Sequence, residues 1–279
     1  MTALSKPDWT TIFKLVKPLA KLRIEDFQVK SLPGFTNQNF HLKNDEHDWV
    51  LRIPKQETNQ YIDRQHEAHN ANLANRLGLA PECIWRDKTG LSLSMTLLKS
   101  RTISDFNLTH KKVLSKLAET LGRLHKSKNK FRGVVNLALL LPRYYRLIPE
   151  HLQCQIESSY SLALGKLERL SEREKLLVPS HNDLVLENIL IDEAEKIWFI
   201  DWEYASMASP YWDLATLCNA AAFNQAQCAR LLMEYKNHNL ELDPEILFEY
   251  RYILKVLSIC WMAVFTESNI EPEIEKLNN

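Results

Sequence analysis

Glycine is scarce in this chain: Gly34, Gly78, Gly90, Gly122, Gly133 and Gly165 are the only six in 279 residues. Scattered in this way, they cannot spell the G-x-G-x-x-G of a dinucleotide fold or the G-x-x-x-x-G-K-[ST] of a P-loop, so two large nucleotide-binding classes are excluded. Excess charge is missing too. The 35 Lys and Arg residues face 35 Asp and Glu, and the balance is nearly even on both sides of Leu97, which argues against nucleic acid or an anionic membrane as the main partner. Cys83, Cys154, Cys218, Cys228 and Cys260 are odd in number and never form C-x-x-C. They read as reduced thiols rather than as a disulfide frame or a zinc site. No run approaches the roughly 18 apolar residues of a membrane span, and the opening MTALSKPDWT lacks a signal-peptide core. A cytoplasmic location is expected.

What is present divides in two. From Phe27 to Leu97 short β-branched and aromatic runs, FQVKSL (27–32), NFHL (39–42), WVLRI (49–53) and LSLSMTLL (91–98), predict an antiparallel meander with about five strands. Between them Gln60 to Leu77 reads as an exposed helix stopped by Gly78 and Pro81. After Lys99 the apolar period changes to near 3.6, which predicts helices over 109–125, 142–157, 159–174, 211–222, 225–237 and 244–265. Two short strands interrupt them at ILID and KIWFID, around Glu193-Ala194-Glu195. The implied plan is α+β: a β-rich lobe over 1–97, a connector near Leu98, and a larger helical lobe over 98–279.

The segment His181-Asn182-Asp183-Leu184-Val185-Leu186-Glu187-Asn188, followed by Trp198-Phe199-Ile200-Asp201, carries the most chemistry. Phosphoryl transfer needs a base or orienting group at the acceptor oxygen, and hard oxygen ligands that hold magnesium against the phosphates. A carboxylate and an amide five residues apart, on a loop entering a hairpin, can meet both needs. Asp183 would serve the hydroxyl proton; Asn188 and Asp201 would bind the metal. A structural reading, with Asp183 capping and Asn188 closing a turn, leaves the joint spacing unexplained.

At these residues the chain resembles the choline/ethanolamine kinase and aminoglycoside phosphotransferase group, over roughly residues 30–265. The stretch Asp201-Trp202-Glu203-Tyr204-Ala205 is similar to the IDWEYA or IDFEY of choline kinases. The resemblance implies a protein-kinase-like two-lobe fold, an ATP- and magnesium-dependent activity, and a bracing role for His181. It also implies that Pro33-Gly34-Phe35-Thr36-Asn37-Gln38-Asn39 is the phosphate loop, with Thr36 and Asn37 as donors. Arg52 then becomes the phosphate-binding cation, steadied by Glu67. Glu203, Tyr204 and Trp261 are placed with the acceptor beside Asp183, Trp261 matching the first of two cage tryptophans. The second falls on Val264, and an acid expected seven residues after Asp213 is Ala220.

The acceptor expected on these grounds is choline or ethanolamine, a cation that aromatic faces can hold. Thiamine is an alternative, since bacterial thiamine kinases resemble the same stretch. An aminoglycoside is a further one, although a polycation favours a more acidic lobe than this. A binding protein without activity would be expected to have lost Asp183, Asn188 or Asp201, and all three are present. His66-Glu67-Ala68-His69 resembles a zinc-protease helix, but its histidines are three apart instead of four. His125 reads as structural, and nothing in the sequence fixes the oligomeric state.

Overall fold

A computed structural model of the chain describes residues 7–34, 36–55, 61–97, 99–173, 175–238, 241–266 and 270–278. The expected connector at Leu98, Phe35 of the first loop and Gln60 fall outside them. Strands β1 (Gln28–Leu32), β2 (Asn37–Lys43), β3 (Asp48–Pro54), β4 (Cys83–Arg86) and β5 (Ser92–Met95) form one antiparallel sheet in the order β1-β2-β3-β5-β4. The meander therefore holds for three strands. The chain then leaves through helix α2 (Arg64–Arg76), enters the sheet at its far edge as β4, and returns through β5 to pair with β3. Asp63 caps α2 by accepting from the backbone N–H groups of Gln65 and His66, both at 3.0 Å, and Gly78, at φ +68°, ends it.

An N-terminal helix, α1 (Trp9–Leu15), was not expected from the sequence. Asp8 caps it, and Ile12, Phe13 and Val16 join Leu42, Trp49, Leu51 and Leu93 in a core of their own on the sheet. Seven residues are too few for a clear period, and only the sheet face makes this helix worth forming.

The larger lobe holds α3 (Lys111–His125), α4 (Leu137–Leu147), α5 (Glu150–Arg173), α6 (Pro210–Ala220), α7 (Gln225–His238), α8 (Pro244–Phe265) and α9 (Glu271–Asn278). Here two sequence expectations are corrected. In place of helices at 142–157 and 159–174, one helix begins at the Asn136 cap and ends before Ile148, whose ψ of 138° is extended. Pro149 imposes that conformation on its predecessor, and α5 then runs through residue 158 without a break. Short strands β6 (Arg101–Thr102), β8 (Ile189–Ile191) and β9 (Ile197–Phe199) form one small sheet, and β7 (Val178–Ser180) pairs with β10 (Ser206–Ala208). Ala74, Leu79 and Ala80 pack into the large-lobe core, so α2 belongs in part to both lobes. No described helix is long and apolar enough to cross a membrane.

Candidate active site

The loop that follows β7 is fastened from below by a buried carboxylate. Asp213, in the first turn of α6, accepts the backbone N–H of His181 at 2.9 Å and that of Asn182 at 2.7 Å. Its Oδ2 also lies 3.1 Å from Nε2 of His125, which in turn meets the Tyr235 hydroxyl at 2.7 Å. Burial alone would raise the Asp213 pKa, but the hydrogen bond and charge of His125 together with His181 outweigh it and leave it lowered. The structural role expected for His125 thus has a specific object, the underside of this loop.

His181 is fully buried. Its Nε2 stands 2.9 Å from the Ile200 carbonyl, which can only accept, so that nitrogen carries the hydrogen and Nδ1 is left to accept the Asp183 N–H at 3.3 Å. Burial lowers the His181 pKa, consistent with the neutral ring this role requires. Asn182 turns the chain at φ +65°; its Nδ2 donates to the Tyr204 carbonyl at 2.9 Å and to Ser206 Oγ at 2.7 Å. The result is that Asp183 projects from a backbone held on all sides.

Asn188 ends a 3₁₀ turn over Leu186–Asn188, and its Nδ2 donates to both the carbonyl and Oδ2 of Asp183, each at 2.9 Å. The Ile200 N–H returns to the Asn188 carbonyl at 3.0 Å. That bond brings the end of β9, and with it Asp201 at φ +62°, back beside the loop. Burial, then the charges of Asp201 and Glu203, push the Asp183 carboxyl up to about 7, against the Asn188 hydrogen bond. A carboxylate so poised is suited to take or orient a hydroxyl proton near neutral pH.

Facing this loop is a dense ionic cluster. Arg52, on β3, contacts Glu67 Oε1 at 2.7 Å, Glu203 Oε2 at 2.5 Å and Asp201 Oδ1 at 3.1 Å. Glu67 also receives Arg64 at 2.8 Å and Arg86 at 3.1 Å. The cation–glutamate pair inferred from the sequence is therefore part of a larger set. Arg64 was missed, although its place one turn before Glu67 on the same helix was a usable signal; Arg86, from the edge strand, had none. Asn37 Nδ2 donates to Thr36 Oγ1 at 2.8 Å and to Glu203 Oε2 at 3.1 Å. Both loop side chains are thus turned inward, and Glu203, expected beside the acceptor, has its Oε2 engaged by Arg52 and Asn37 instead. In the same loop a Cβ on Gly34 would stand 2.5 Å from the Asn37 carbonyl oxygen, which is why glycine is needed there.

The end of α8 gathers a group of aromatic rings. The Trp261 and Phe265 ring centroids lie 5.5 Å apart, and Phe265 also meets Tyr144 edge-on at 5.8 Å and Tyr61 at 4.7 Å. The Tyr204 phenol is raised in pKa by burial, then by the charge of Glu203 and by Tyr144 and Asp183. Phe265 stands one residue beyond Val264, where a second tryptophan would be expected, and supplies a ring. Tyr61 and Tyr144 were not anticipated, because neither is near the motif in sequence.

The donor set fits a magnesium ion. Asn188 spends its amide hydrogens on Asp183, leaving Oδ1 as the other end of that side chain, and the buried Asp201 Oδ1 meets the Arg52 guanidinium at 3.1 Å without a well-aligned hydrogen bond. Among the described residues no group of three or more His, Cys, Asp or Glu is placed to hold a metal. Two protein oxygens, with phosphate and water completing the shell, is the usual arrangement for magnesium on a nucleotide.

A two-lobed fold with this loop, hairpin and cation cluster defines a protein-kinase-like phosphotransferase. The sequence profile of the phosphotransferase enzyme family, APH, matches residues 29–250, and the chain belongs to that family. Within it the chain groups with the LicA proteins. Protein LicA of Haemophilus influenzae is 31% identical over 254 residues, which cover 85% of this chain and 73% of that protein. The crystal structure of choline kinase LicA from Streptococcus pneumoniae superposes with a TM-score of 0.83 at 24% identity, over 96% of this chain and 97% of that one. A structure of LicA in complex with AMP gives 0.79 at 23% identity, over 94% of each chain.

Proposed function

We propose that the protein transfers the γ-phosphoryl group of ATP, with magnesium, to the hydroxyl of choline or its close analogue ethanolamine. The observation that carries this reading is the Asp183 carboxyl, raised to about 7 by burial and by the charges of Asp201 and Glu203 and held 2.9 Å from the Asn188 amide. Asp183 orients the acceptor hydroxyl and takes its proton as the new O–P bond forms; the bond between the γ-phosphorus and the bridging oxygen breaks, and ADP leaves. Asn188 and Asp201 hold the ion, and Arg52 carries positive charge to the phosphates. Magnesium held there would supply positive charge to offset the negative charge that builds on the phosphate oxygens. The rings receive the ammonium group, each face contributing on the order of 0.5–2 kcal/mol. The structural likeness to choline kinase LicA of Streptococcus pneumoniae supports the same acceptor class.

Purified protein with magnesium-ATP and a panel of choline, ethanolamine, thiamine and an aminoglycoside tests the reading through ADP release. Choline is expected to give the highest kcat/KM. Preference for thiamine would replace the acceptor, and no ADP with any member would remove the proposal.

A further inference from the structure

Tyr61 does not belong to the motif or to the helices that carry the other rings. It lies between β3 and α2, two residues before the Asp63 cap, yet its ring meets Phe265 at the end of α8, with centroids 4.7 Å apart and planes at 75°. The guanidinium of Arg143 covers it from outside, 5.9 Å from the ring centroid. Phe265 thus gathers Tyr144 from α4, Trp261 from its own helix and Tyr61 from a segment more than 200 residues earlier in the chain.

The segment that brings Tyr61 runs directly into α2, and α2 is the element that steadies the phosphate-binding cation. Glu67, one turn into the helix, holds Arg52 at 2.7 Å. One turn further, the fully buried Asn70 donates from Nδ2 to the Ala205 carbonyl at 2.7 Å and to that of Arg132 at 3.0 Å. One short helix is therefore tied to Arg52, to the residue after Tyr204, and through its cap to Tyr61. A ligand that draws Arg52 toward phosphate acts on the helix whose lead-in segment carries the Tyr61 ring against Phe265.

We propose that Tyr61 forms one wall of the acceptor site and makes acceptor affinity depend on bound nucleotide. The inference rests on the choline reading given above. It adds a specificity residue from outside the helical lobe and a thermodynamic link between the two substrates, which must be reciprocal.

Calorimetric titration of the full chain with choline, with and without saturating magnesium and a non-hydrolysable ATP analogue, tests it. Wild-type protein is expected to bind choline roughly five- to tenfold more tightly when the analogue is present, the low end of ordinary coupling. Tyr61→Phe keeps that ratio. Tyr61→Ala brings it close to one, with unchanged affinity for the analogue in the absence of choline, a separation that general loss of folding would not give. A wild-type ratio in Tyr61→Ala, or a ratio near one in the wild type, overturns the inference and leaves the acceptor reading standing. Wild-type protein that binds the analogue but neither choline nor ethanolamine overturns the acceptor reading, and the inference with it.

Discussion

Around Glu67, three guanidinium groups and two buried carboxylates meet at distances of 2.5–3.6 Å, whereas around Phe265 the contacts are ring to ring at 4.7–5.8 Å. The first arrangement is directional and every member depends on a partner of opposite charge. Ring packing is tolerant of shape, so one residue can change without stranding another. Phosphate chemistry stays the same across a family of phosphotransferases while acceptors differ. The tolerant material is the ring group proposed above to receive the acceptor.

That contrast can be broken from the ionic side first. Glu67→Gln leaves Arg52, Arg64 and Arg86 without their shared anion, and a loss of about 3–5 kcal/mol in unfolding free energy is expected. The Glu67 pKa is lowered: burial raises it, but Arg52, Arg86 and Arg64 together outweigh burial. A lowered pKa contributes stability that is complete above the unfolded value and lost as pH falls through the folded one. Thermal melts taken from neutral to acid pH should therefore fall less steeply in Glu67→Gln than in the wild type; parallel curves would deny Glu67 this role. Next in size, Asp183→Asn should lower kcat by roughly 10²-fold or more with ATP affinity nearly intact, as loss of a general base requires. Turnover within a few fold of wild type would show that Asp183 does not serve the proton. The smallest effect belongs to the rings. Trp261→Ala is expected to raise the KM for choline by about three- to tenfold and leave that for ATP unchanged, and an unaltered choline KM would take Trp261 out of the acceptor site.

Legibility in the sequence followed the same division. His181, Asp183, Asn188 and Asp201 could be read together because a loop and a tight hairpin bring them close with few residues between, and fixed spacing is what a sequence displays. The hairpin of β8 and β9 was visible for the same reason. Arg86, Tyr61 and Tyr144 reach their places through sheet order and helix packing, neither of which leaves a local pattern. The end of α4 was mistaken because an apolar period near 3.6 continues across Ile148-Pro149, and the period alone masks a break that proline makes in the backbone. The N-terminal helix escaped notice since its only reason to form is a sheet surface that the later sequence builds.

The left-handed turns at Asn182 and Asp201, φ +65° and +62°, restrict evolution in a way that charge alone would not. Asparagine and aspartate enter that region more readily than longer acids do. Glutamate at 201 would preserve the negative charge and still strain the peptide that carries it. The metal ligand proposed at 201 is therefore constrained twice over, once by the ion and once by the path of the chain.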